Sequence, residues 1–352
     1  MNQRSKSGIL PLQELTTAIK SQLIFSDQPI TDNQIQPASV DLRLDKIAYR
    51  VRASFLPGAQ ATVKDKLKNI TMHKIDLTNG AVLEKGCVYI VPIQENLNLP
   101  PDISGMANPK SSTGRLDIFT RVITDKALEF DRIAPGYTGP LYAEISPLTF
   151  SVLVHQGSRL SQIRLRRGDF SAADGVSFTV DLIGFNVGHQ QNKIVGYKAK
   201  QHAGVIDIEK IGHYELIDYW DPISARDDRT LVLDPDAFYI LASKEAVSVP
   251  PDQAAEMRAY DTLVGEFRVH YAGFFDPGFG HEAAGGGGSR AVLEVRSHDV
   301  PFVLEDGQMV GRLVFEPLTQ TPDILYGSDV SSNYQNQGLK LSKHFMSEIY
   351  YE

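Results

Sequence analysis

A single cysteine, Cys87, stands in the whole chain. One thiol can neither close an internal disulfide nor supply the thiolate set of a structural zinc site. Positive charge is also short, since 35 Lys and Arg face 43 Asp and Glu and leave a formal net charge of −8. That balance excludes a broad basic face for nucleic acid, so any phosphate contacts must come from a local cluster. No hydrophobic run approaches membrane-spanning length, and the opening MNQRSKSGILPLQEL lacks the apolar core of a signal peptide. The expected setting is the cytoplasm, with no membrane partner.

What is present organises itself as a repeat. The 352 residues suffice for two domains of ordinary size, and 42% apolar with 22% charged residues is a globular composition. GAVLEKGCVYIVPIQENLNLPPD sits beside TLVLDPDAFYILASKEAVSVPPD, with Val82 matching Val232, Tyr89 matching Tyr239 and Glu95 matching Glu245, each 150 positions apart. The same offset aligns YAEISPLTFSVLVHQGSRLSQIRL with VLEVRSHDVPFVLEDGQMVGRLVF, placing Glu144 against Glu294. Between these blocks RIAPGYTG meets FFDPGFG at an offset of 142, and the EAAGGGGSR segment restores the eight missing residues. That glycine run reads as a flexible loop tip. The chain is thus a tandem duplication, divided into residues 1–195 and 196–352.

Each copy reads as β. Short stretches such as CVYIVPI, PLYAEIS, FSVLVHQ and AVLEVRS alternate or run apolar over a few residues, punctuated by Gly, Pro and Asp. Helical spacing is clear in LQELTTAIKSQ, and a shorter helical pattern covers Asp252 to Met257. Many short strands with few helices point to a sandwich or small barrel.

Four features carry chemistry. NPKSSTGR, Asn108 to Arg115, gathers Lys110, Ser111, Ser112 and Arg115 around Gly114, as an anion site does. It is not a P-loop, because Pro109 removes an amide donor directly before Lys110 and the glycine spacing is absent. Glu144 and Glu294 each sit in an apolar strand; Val292, Glu294 and Arg296 share one face of theirs. A carboxyl in such a partly apolar place has a raised pKa, suited to acid–base work near neutrality. The turn FFDPGFG has Asp276 where the first copy has Ala134, whereas RAYDTLVG replaces NPKSSTGR in the second copy. Each half keeps what the other lacks. Last, SNYQNQGLKLSKHF is either a disordered tail or a flap that closes over a nucleotide. The nine His residues show no metal pattern, and His213 in HYE has no PCxxC partner, which excludes zinc-activated water of that type.

Together these pieces resemble the dCTP deaminase and dUTPase superfamily, most of all the long, tandem-domain dCTP deaminases. QIQPASVDLRL resembles that family's first motif, KSSTGR its phosphate motif with Lys110 for the leading Arg, and FFDPGFG its IDPGxxG turn. VLEV with LEDGQMVGRLVFEPL resembles the strand bearing the catalytic Glu and the one after it. In YGSDVSSNYQNQG, Tyr326 and Tyr334 keep the family's separation, with Asn333 where a Lys is usual. The resemblance implies a mainly β fold of two tandem dUTPase-like distorted jelly-roll β-barrels with a short N-terminal helix. It implies trimers of two-domain chains, with active sites between subunits. The implied reaction is zinc-free deamination of dCTP to dUTP and ammonia, in pyrimidine deoxynucleotide synthesis. A Glu activates water there, and Mg²⁺ accompanies the triphosphate. dUTP and dTTP are the further ligands implied.

By position, Ser111, Ser112, Lys110 and Arg115 bind phosphate or order the site, and Glu144 or Glu294 is the proton shuttle. Asp276 faces the deoxyribose, Asp131 is its stand-in for a first-copy site, and Tyr326, Tyr334 and Gln337 contact base or phosphates. KSSTGR and Glu144 are expected to share one site because both lie in the same copy; the alternative is a site combining the halves. Alternative activities are dUTP pyrophosphatase, a bifunctional enzyme giving dUMP, or a non-catalytic nucleotide-binding regulator.

Overall fold

Strand-length apolar segments recur along both halves, and they pair on one plan used twice. The computed structural model describes residues 6–186, 193–259, 267–269, 273–297, 300–328 and 334–346. In the first barrel Ile103–Pro109 pairs with Ser161–Arg167, which also takes Val40–Leu42 and Gly8–Ile9. A second sheet sets Val88–Asn98 between Ile47–Val51 and Thr138–Pro147, and the latter also pairs with Ile118–Thr124. The second barrel repeats this plan. Gln253–Ala259 pairs with Met309–Pro317, and Phe238–Val247 lies between Ile194–Ala199 and Ser289–Ser297.

The identities at offset 150 now have physical reasons. The hydroxyl of Tyr89 accepts the Glu84 amide at 2.9 Å, and that of Tyr239 accepts the Asp234 amide at 2.9 Å. Glu95 accepts the backbone N–H of Arg43 at 2.8 Å, while Glu245 accepts that of Thr179 at 2.8 Å. In both barrels a glutamate in a long strand satisfies a backbone amide at the end of another strand, Arg43 directly after Val40–Leu42 and Thr179 closing Ala173–Thr179.

Two expectations change. Asp252 to Met257 does not form a helix, because Gln253–Ala259 is a strand whose Ala254, Ala255 and Met257 are buried. Pairing on both edges outweighs the helical propensity of that stretch. The repeat assigns residues through 195 to the first copy, but Ala173–Thr179 pairs with Met309–Pro317, and Phe178, Val180 and Leu182 enter the second core. The matching blocks begin near Val82 and Val232, so the strands that open each barrel leave no imprint on the offset. The expected first helix does form, over Leu12–Lys20, and buries Leu15 and Ala18. Among the described residues, no helix is long and apolar enough to cross a membrane.

The barrels share a core. One cluster runs from Leu10 and Phe150 through Trp220 and Phe238 to Leu339, Leu341 and Phe345. The single tryptophan marks this seam: its ring centroid lies 5.5 Å from that of Phe150 and 6.0 Å from that of Phe345, both edge-on. The segment Tyr334 to Met346 is therefore a core-anchored strap. Tyr214 bridges Phe345, and Ser342 Oγ donates to the carbonyl of Ser112 at 2.8 Å.

Candidate active site

Where the barrels meet, one cavity collects side chains from both. The first half supplies Asp41, Lys110, Ser111, Ser112, Arg115 and Gln162; the second supplies Asp276, Glu294, Tyr326, Tyr334, Gln337 and Lys343. Pro109 ends a strand, and the chain then turns through the short helix Ser111–Gly114, with the amides of Thr113 and Gly114 both bonded to the carbonyl of Lys110. That turn brings Lys110, Ser111, Ser112 and Arg115 to the cavity. The FFDPGFG turn needs its glycine: Gly278 has φ +92°, and a Cβ there would meet Leu325 Cβ at 2.8 Å. Asp276 is thereby fixed beside Tyr326.

Buried arginines cross the seam and set this geometry. Arg115 donates to Gln337 Oε1 at 3.0 Å and to the carbonyl of Lys340 at 2.9 Å, under the ring of Tyr334 at 3.9 Å. Arg164, fully buried, donates to Asp276 Oδ1 at 3.0 Å and to the carbonyls of Ala255 and Phe275 at 2.9 Å. Arg296 reaches back from the second half to Asp117. Lys110 is ion-paired with Asp41, so its charge is anchored at the cavity wall.

Electrostatics separate Glu294 and Asp276 from ordinary carboxyls. Burial pushes the Glu294 carboxyl up to about 8, with the nearby Arg115 pulling the other way. Asp276 is also raised by burial, against the opposing charge of Arg164. Lys343 is lowered by burial and by Lys110, and burial raises the Tyr326 and Tyr334 hydroxyls. Glu294 is the carboxyl placed to exchange a proton near neutrality.

Glu144 does not line this cavity, and the expected pairing of KSSTGR with Glu144 is not what the chain builds. Glu144 Oε1 accepts two N–H groups of Arg121, at 3.2 and 2.5 Å, inside the first barrel. The Arg121 guanidinium lies 3.4 Å from the ring centroid of Phe130, so the place beside Glu144 is filled by protein. Asp131 lies near this pair and outside the cavity. It takes the Val122 amide at 2.7 Å, and burial raises its carboxyl to about 7. Ser111, Ser112, Lys110, Arg115, Asp276, Glu294, Tyr326, Tyr334 and Gln337 do come together. Asn333 and the RAYDTLVG positions Asp261 and Gly265 lie outside the described residues. The GGGGS run is not a free tip: Gly286 N–H donates to the carbonyl of His281 and Gly288 N–H to that of Gly280, each at 2.9 Å, beside Gln335 and Asn336.

Sequence reasoning missed Asp41, Gln162, Arg164 and Asp117. Asp41 lies within QIQPASVDLRL and Asp117 two residues after the phosphate motif, so proximity was their signal. Arg164 had a weaker one, a charge inside the apolar run SQIRL.

Comparison with known proteins places both halves in one family. Residues 6–169 match the 2'-deoxycytidine 5'-triphosphate deaminase N-terminal domain, and residues 153–345 match the C-terminal domain of the same family. The chain belongs to the dCTP deaminase family. The crystal structure of 2'-deoxycytidine 5'-triphosphate deaminase from Agrobacterium tumefaciens is 54% identical, with a TM-score of 0.85 over 89% of this chain and 99% of that one. A dCTP deaminase from Halorubrum lacusprofundi is 33% identical over 146 residues, 41% of this chain and 69% of that protein. A dCTP deaminase, dUMP-forming, from Beutenbergia cavernae is 28% identical over 136 residues, 38% of this chain and 67% of that protein. Two domains of this family thus lie in series, and residues of both line the one cavity described above.

Proposed function

We propose that this chain converts dCTP and water to dUTP and ammonia at the seam cavity, with Glu294 as proton shuttle. The observation that carries the reading is Glu294 itself, a buried carboxyl raised to about 8 in the cavity that holds Lys110, Ser111, Ser112 and Arg115. The ionised carboxylate takes a proton from water as the oxygen adds to the amino-bearing ring carbon, and returns it to the adjacent ring nitrogen. The added hydroxyl then gives its own proton, through the same carboxyl, to the amino nitrogen, which leaves as ammonia while the carbonyl forms. Arg115, fixed by Gln337 and stacked on Tyr334, orders the site. Lys110, Ser111 and Ser112 hold the phosphates, which arrive as the magnesium complex of the nucleotide. Asp276 faces the deoxyribose, and Tyr326, Tyr334 and Gln337 line the base or phosphates. dTTP would compete for the same contacts, and association of two-barrel chains into a trimer belongs to this proposal, checked by light scattering.

A dUMP-forming reaction would also need a second water activated for phosphate cleavage. Asp276 is the acid that superfamily chemistry would use there, but Arg164 already binds it at 3.0 Å. dUTP is therefore the expected product. Incubation of the protein with dCTP and Mg²⁺, resolving ammonia, dUTP, dUMP and pyrophosphate, tests the reading. Ammonia with dUTP supports it, dUMP with pyrophosphate makes the enzyme bifunctional, and no ammonia sinks it.

A further inference from the structure

Glu294 and the phosphate-binding segment come from different halves of the chain, so something must hold them in register. Asp117 lies two residues after Arg115, and Arg296 two residues after Glu294 on the same face of its strand. They meet in the interior: the Asp117 side chain is fully buried and that of Arg296 nearly so. Asp117 Oδ2 accepts Arg296 Nε at 3.0 Å and a second Arg296 nitrogen, Nη2. Thr149 completes the knot, donating to Asp117 Oδ2 at 2.6 Å and accepting from Arg296 Nη2 at 2.8 Å. Arg296 Nη1 also donates to the carbonyl of Asp236 at 2.6 Å.

Asp117 is tied equally firmly on its own side. Its amide donates to the carbonyl of Gly114 at 2.8 Å, and its carbonyl accepts the amide of Leu148 at 2.9 Å. It holds φ +56°, a left-handed conformation that Asp and Asn tolerate better than other side chains. At offset 150 the repeat places Phe267 opposite Asp117 and Ser146 opposite Arg296. The pair is therefore no requirement of the barrel. One member comes from each copy, and together they join the two segments that the cavity brings face to face.

We propose that Asp117 and Arg296 are positioning residues, a buried two-pronged link that sets Glu294 relative to Ser111, Ser112 and Arg115. A rigid link of this kind matters to a reaction because displacement of a reacting group by about 1 Å can cost on the order of a hundredfold in rate. The link touches no substrate, so its loss lowers kcat while nucleotide binding persists. This inference rests on the deaminase reading above.

The test is the double variant Asp117→Asn with Arg296→Met. Removing both charges leaves no unpaired ion in the interior, and Asn keeps an acceptor for Thr149 and suits the left-handed backbone. The folded state should persist, with Tm within about 3 °C of the parent and unchanged Trp220 emission from the seam. Ammonia release from dCTP should show kcat down by about tenfold or more, with KM within about threefold. A parental kcat at retained Tm overturns the proposal, as does a loss confined to KM. Should the double variant not fold, Arg296→Lys keeps the charge but not the two-nitrogen contact. A lower kcat at unchanged KM then supports the link, and an unchanged kcat overturns it. Absence of ammonia from the parent protein would instead defeat the deaminase reading, and this inference with it.

Discussion

Glu144 and Glu294 occupy equivalent places in two copies of one barrel, yet they have opposite surroundings. Glu144 is held by the guanidinium of Arg121, which is itself stacked on Phe130 and bonded to Ser54 at 3.1 Å. Its charge is answered inside its own barrel. Glu294 faces the seam cavity, where burial outweighs the pull of Arg115 and lifts its carboxyl to about 8. Duplication repeated the residue but not its chemistry. A base must take a proton from water and pass it on, and a carboxylate whose Oε1 already accepts two N–H groups of an arginine is ill placed for that.

The largest expected difference between the copies is in turnover. Glu294→Gln should lower kcat for ammonia release from dCTP by on the order of a thousandfold, with nucleotide binding retained in calorimetric titration. The two arginines beside the glutamates should differ next. Arg115→Ala should lower kcat/KM by about a hundredfold, since it removes both a phosphate-site charge and the contacts to Gln337 and Lys340. Arg121→Ala should leave kcat/KM within about threefold and cost mainly stability.

Proton dependence sharpens the contrast further. If the ionised form of Glu294 is the base, kcat/KM should rise about tenfold per pH unit below 8 and level off above about 8. That limb should vanish in Glu294→Gln and persist in Glu144→Gln; a limb unchanged in Glu294→Gln would assign it to another group. The smallest effect is on stability, and its sign differs between the copies. The folded pKa of Glu294 lies far above the ordinary 4.5. Between about 4.5 and about 8 the unfolded chain has lost this proton while the folded chain keeps it, so stability falls as pH rises through that window. Glu294→Gln should therefore match the parent Tm at pH 4 and exceed it at pH 8, by about 5 °C. Glu144→Gln, which leaves Arg121 without its buried carboxylate, should lower Tm at pH 8 by a similar amount.

Much of the fold was legible because the repeated residues do repeated work. Tyr89 and Tyr239, and Glu95 and Glu245, each make the same hydrogen bond in their barrels, so the offset of 150 survives in sequence. The strand Gln253–Ala259 carries a helical pattern because Gln, Ala, Glu and Met favour a helix until neighbours on both edges pair with them. The residues of the cavity were also legible, as separate motifs. Their assembly was not. No local spacing records which barrel's phosphate segment faces which barrel's glutamate; that is decided by long-range contacts such as Arg115 to Gln337 and Arg164 to Asp276. The strap was ambiguous for a related reason. Leu339, Leu341 and Phe345 look like a sparse apolar pattern in a polar tail until the shared core around Trp220 is present to bury them.

Assaying Glu294→Gln and Glu144→Gln side by side for ammonia release from saturating dCTP tests most directly that one seam site, served by Glu294, does the chemistry. Loss of turnover in Glu294→Gln, with Glu144→Gln within about threefold of the parent, is the expected result. Turnover that survives in Glu294→Gln and disappears in Glu144→Gln would contradict it.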